Sequence, residues 1–67
     1  MRTIYVTETV YSELGTDDKF HIKTRIHAFG DFEEAKTFAD DEEASFKGLT
    51  TLRLKFVKVH EITEVSA

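Results

Sequence analysis

The chain contains no cysteine, proline, tryptophan, asparagine or glutamine; fifteen residue types fill its 67 positions. Without cysteine, neither a disulfide framework nor a thiolate metal site can staple it. Long apolar runs are missing too. No stretch approaches the roughly eighteen residues of a membrane span, so no membrane association is expected. Residues 1–8 read as a strand pattern interrupted by charge rather than the apolar centre of a signal peptide, so a cytoplasmic location is the expectation. There is no Gly-rich phosphate loop and no Gly-x-Ser-x-Gly elbow, and Ser12, Ser45 and Ser66 have no neighbouring base in sequence. A chain this short also has little room for a ligand pocket of about 300 Å³ or more. These absences speak against an enzyme and against a bound cofactor.

What is present is enough to fold. Hydrophobic residues make up 40% and aromatics 12% at a net charge of −4, too apolar a balance for a disordered chain. One small domain over 1–67 is expected, with a core thin enough to profit from self-association.

The three glycines, Gly15, Gly30 and Gly48, punctuate four segments. From Thr3 to Leu14 the chain is rich in Thr, Val, Ile and Tyr, with Ile4, Val6, Val10 and Leu14 in one row and Tyr5, Thr7, Thr9 and Tyr11 in the other, a period of two that makes a strand. Gly15-Thr16-Asp17-Asp18-Lys19 is a polar hairpin turn. Phe20 to Phe29 alternates cleanly: Phe20, Ile22, Thr24, Ile26 and Ala28 face one way, and His21, Lys23, Arg25 and His27 the other. Asp31 then caps a helix, with Glu34 three residues on as in a capping box. Phe32, Ala35, Phe38, Ala39, Phe46 and Leu49 recur at helical spacing, and Lys47-Gly48 closes the element.

Thr50 to Val65 is strand again, with a phase slip after Phe56: Leu52, Leu54 and Phe56 alternate, and then Val57 and Val59. Two readings stand, a β-bulge near Phe56-Val57 or a far end covered on its other side by a second subunit. The fold class is therefore α+β: ββαβ, a three-stranded, mainly antiparallel sheet with one helix packed on one face. The order 2-1-3 makes every pair antiparallel and is favoured over 1-2-3. One helix covers one face, and the other meets water or a partner.

The charge is partitioned. From Asp31 to Lys47 seven acids stand against two lysines, a net −5, so the remainder of the −4 chain carries +1. Four consecutive acids, Asp40-Asp41-Glu42-Glu43, wrap fully around a helix, so one or two of them must approach the sheet or mark a kink or break. Together with Glu33 they form a candidate docking surface for a basic partner. The basic groups Lys23, Arg25, Arg53 and Lys55 fall on what reads as the outward sheet face. With Tyr5 and Tyr11 beside them, they form an alternative platform for single-stranded nucleic acid. Glu8 interrupts the apolar row of the first strand and is expected beyond the reach of the helix. His21, His27 and His60 are too scattered for a metal site.

In size and element order the whole chain resembles several small bacteriophage-encoded proteins that bind and inhibit host enzymes, with no shared motif. That resemblance implies a non-enzymatic module that docks on a larger protein as a regulator or inhibitor, through the acidic helix or an exposed sheet edge. The long, proline-free third strand is an edge open to strand addition or homodimerisation. A structural subunit of a homo-oligomer is the remaining alternative.

Overall fold

Strand chemistry over Arg2–Leu14 and Phe20–Phe29 forms the hairpin β1–β2; a helix, α1, runs from Phe32 to Ser45, and β3 spans Leu52–Glu64. The structure is a computed structural model that describes residues 2–64; Val65, expected as the end of the last strand, and Ser66 lie outside the described residues. The sheet order is β2-β1-β3, with both pairs antiparallel. The helix lies against one face, which makes this the small α+β fold that the pattern predicts.

The hairpin turn is closed by its own polar groups. The Gly15 N–H donates to the Lys19 carbonyl at 2.8 Å, and the Lys19 N–H donates to Asp17 Oδ1 at 3.1 Å. His21 Nε2 donates to the same carboxylate at 3.0 Å. A Cβ at Gly15 would come within 2.9 Å of Asp17 Oδ1 and the His21 ring, so these exposed side chains would have to shift and their hydrogen bond with them. These bonds, the one from His21 foremost and the Lys19 N–H next, hold the Asp17 carboxyl below its ordinary value of 3.8.

Asp31 caps α1 from an extended backbone (φ −128°, ψ 134°), its carboxylate accepting from the Glu33 N–H at 3.4 Å. Beyond the helix, Gly48 takes φ +78°, a left-handed conformation in which a Cβ is strained. The helix is continuous through Asp40 and Asp41, so it does not break there, and of the alternatives for the four-acid run the one met is an acid turned toward the sheet.

The packed centre is small-on-small. Thr7, Thr9 and Ala35 have no exposed surface, and the Thr7 hydroxyl donates to the Ala35 carbonyl at 3.1 Å. Aromatic pairs close both ends of this contact: Tyr5 meets Phe32 edge-on at 5.5 Å and Tyr11 meets Phe46 at 5.3 Å between ring centroids. The only apolar residues buried among the described residues are Ala35 and, with 7% of its surface exposed, Phe46.

Cα partners share a face of the sheet. The helix side therefore carries Tyr5, Thr7, Thr9 and Tyr11 of β1, with Arg25 and His27 of β2 and Val57 and Val59 of β3 opposite them. This corrects the phase expected from the sequence, in which the apolar rows of β1 and β2 met the helix and the basic row faced outward. The hand of the β2–α1–β3 connection decides where a crossover helix lands, and alternation along a strand does not encode it. The phase slip in β3 is a bulge: the register shifts between Val10 and Tyr11, whose partners are Phe56 and Leu54, and Lys55 has no Cα partner. The extra residue sits just before the expected Phe56-Val57 and keeps Leu52 and Leu54, then Val57 and Val59, on the helix side.

Two measurements check this packing. The buried Thr9 hydroxyl has no hydrogen-bond partner among the described residues, so Thr9→Val should stabilise the fold by about 1 kcal/mol, whereas Thr7→Val should cost about 1 kcal/mol, both read by chemical denaturation. In the turn, the ionised form of Asp17 is the favoured one. Its contribution is in place above pH 3.8 and is lost as the pH falls through its lowered folded value. An NMR titration of the Asp17 carboxyl should give a midpoint below 3.8 that rises in His21→Ala.

Candidate functional site

The helix side uses up the groups that looked most available for binding. Arg25 rises from β2 beside α1, its guanidinium 5.0 Å from the Tyr11 ring centre and 5.7 Å from that of Phe46. Its Nη2 lies 3.5 Å from Glu42 Oε2. Glu42 is buried while Arg25 keeps contact with water; at this distance the two form an ion pair, and Glu42 Oε2 has no hydrogen-bond partner among the described residues. Glu42 is thus the member of the four-acid run that turns toward the sheet. Glu33, Asp40, Asp41 and Glu43 remain exposed.

The six residues of the basic-aromatic platform do not share a face. Tyr5 and Tyr11 lie under the ends of α1, Arg25 is engaged as above, and Lys23 is the Cα partner of Tyr11 on the helix side. Arg53 pairs with Ser12 on the opposite face, its guanidinium stacked 4.0 Å over the Phe20 ring, and Lys55 is the exposed bulge residue. Strand β3 has the phase the alternation predicts, but the bulge and the position of the helix separate its cations from those of β2.

What the open face presents instead is apolar. Row by row it carries Ile4 and Ile62, then Ala28, Val6 and His60, then Ile26, Glu8 and Lys58. Past the centre come Thr24, Val10 and Phe56, then Ile22, Ser12 and Arg53, and Leu14 with Phe20 at the end. Ile22 is 71% exposed, Ile26 64%, Ile62 47% and Phe56 44%. Burying one such side chain is worth about 1.5–3 kcal/mol, so this is a large unused driving force. Glu8, expected beyond the reach of the helix, does lie outside it: it sits on the open face and accepts from His60 Nε2 at 3.0 Å. None of the four exposed apolar side chains stood out as a candidate in the sequence. The available signal was that one helix covers only one of the two faces, so whichever row it does not take stays open.

Open clefts flank these surfaces. One of about 450 Å³ is lined by Phe29 and Phe38 with Glu33, Glu34 and Asp41. Another, of about 400 Å³, lies by Glu8, Phe56, Lys58 and His60. These volumes exceed the roughly 300 Å³ for which little room is expected in so short a chain; one runs along the flank of the helix and the other lies on the face that no helix covers. Among the described residues no three His, Asp or Glu side chains converge as a metal-holding group, and no helix is long and apolar enough to cross a membrane.

No protein-family model, no curated protein and no solved structure matches the chain.

The two kinds of helix acid should respond differently to mutation. Glu42→Ala removes a buried partner from Arg25 and should cost about 1–2 kcal/mol, discounted for the exposure of the arginine. Asp41→Ala should stay within about 0.5 kcal/mol. Thermal and urea unfolding of the two variants check the contrast.

Proposed function

We propose that this chain is a non-catalytic protein-binding module whose contact surface is the open apolar face of its sheet. The observation that supports the reading is the exposure of Ile22, Ile26, Phe56 and Ile62 on one continuous face. Soluble monomers rarely leave such a patch uncovered, and where one exists it marks an interaction surface. A role as regulator or inhibitor of a larger protein belongs to the same reading, with the exposed acids Glu33, Asp40, Asp41 and Glu43 supplying selectivity toward a basic partner rather than the main adhesive contact. Nucleic-acid binding gains little support, since Arg25 is committed to Glu42 and Arg53 lies on the other face.

The reading is tested by chemical cross-linking in cell lysate, comparing the wild type with two surface variants. Ile22→Lys with Ile26→Lys should abolish protein cross-links, whether to another protein or to a second copy, while circular dichroism shows the fold intact. Asp40→Lys with Asp41→Lys and Glu43→Lys should weaken selectivity but retain adhesion. Cross-links unchanged in the open-face variant would overturn the reading, and loss only in the charge-reversed variant would move the contact surface to the helix.

A further inference from the structure

The molecule exposes too much surface for its mass. A folded monomer of this size shows about 4,300 Å², whereas the 7.7 kDa chain shows 5022 Å². The surplus of about 700 Å² is close to the roughly 800 Å² that each partner contributes to a stable interface. Its radius of gyration is 14.5 Å, against about 11 Å for a compact chain of this length. A core of Ala35 and Phe46 is thin support for such an extended sheet, and four of the six large apolar side chains exposed among the described residues, Ile22, Ile26, Phe56 and Ile62, lie on the open face.

We infer that the occupant of this face is a second copy of the chain, packed sheet to sheet about a two-fold axis crossing the strands at the row Thr24–Val10–Phe56. The inference rests on the protein-binding reading above and names its partner. It follows from the order of residues on the face. Rotation about that axis sets each row against the row equally far on the other side of it. Ile26 then lies over Ile22 of the second copy, Ala28 over Phe20 and Val6 over Leu14, while Val10 and Phe56 meet their own equivalents. Every residue of this face on β2 except Thr24 is apolar, and each finds an apolar counterpart.

The same rotation sets Lys58 over Arg53 of the second copy and Glu8 over Ser12. Glu8 comes to lie beside Arg53 of the second copy, on the diagonal of a facing row. Lys58 and Arg53 sit on the outer strand β3, where long side chains reach water at the rim. Such an isologous contact needs no second surface type. Packed sheets about 10 Å apart bury their facing rows, and the acidic outer sides of both helices stay exposed. This differs from pairing through the edge of β3, which would leave Ile22 and Ile26 bare.

Purified protein should run as a dimer, at twice 7.7 kDa, in size-exclusion chromatography with light scattering. Ile26→Lys should raise the dissociation constant by about 30-fold or more, as expected when an apolar anchor facing an apolar counterpart becomes a charge. Because the chain has no cysteine, single introduced thiols report the geometry without relying on that variant's folding. Thr24→Cys, near the axis, should be cross-linked to its copy by a short bismaleimide. Lys23→Cys, one residue along on the helix side, should not.

Three results would overturn the inference: a monomer at every concentration, a dimer that Ile26→Lys leaves intact, or cross-linking through Lys23→Cys but not Thr24→Cys. A pure monomer whose lysate cross-links still depend on Ile22 and Ile26 would remove the second copy alone and leave the protein-binding reading standing. Loss of both would remove that reading as well.

Discussion

A single 14-residue helix has to cover a sheet whose central strand is 13 residues long. At about 1.5 Å per helical residue and 3.3 Å per strand residue, the helix reaches along roughly half of that strand and over one face only. The rest of the structure is organised around this shortfall. Under the helix, threonines and an alanine allow close approach, and aromatic pairs at both ends fix its position. A cleft opens along the flank of the helix, another lies on the opposite face, and that face has nothing over it.

The same geometry redistributes the charge. By composition the helix is strongly acidic, and the sheet carries the cations. In three dimensions Arg25 and Glu42 neutralise each other beside Tyr11 and Phe46, which removes one strong group from each of the two surfaces that looked ready to bind. The other acids of the run, Asp40, Asp41 and Glu43, and Glu33 stay exposed on α1. The exposed isoleucines and Phe56 lie on the other side of the sheet, where Glu8 and His60 are hydrogen-bonded across the strands.

Much of the architecture was legible in the chain. The period-two rows of β1 and β2, the polar turn at Gly15–Lys19, the Asp31 cap and the glycine at position 48 each act within a few residues of themselves, so local chemistry specifies them. The bulge in β3 announced itself through the phase slip, since an extra residue is the cheapest way to keep Leu54 and Val57 on one side. The strand order followed from the preference of a small sheet for antiparallel pairs.

Which face the helix takes could not be read in this way. Alternation records that two rows differ, but the hand of a connection decides which row is covered, and that is a property of three elements together. The more polar row received the helix because its small threonines accept close packing and a hydrogen bond to the Ala35 carbonyl. Tertiary structure alone therefore placed Tyr5, Tyr11 and Arg25 inside the helix contact and Ile22 and Ile26 outside it. The sequence by itself determined the elements, their order and the existence of two unlike faces. The fold decided which of those faces the helix left open, because coverage depends on how distant segments meet.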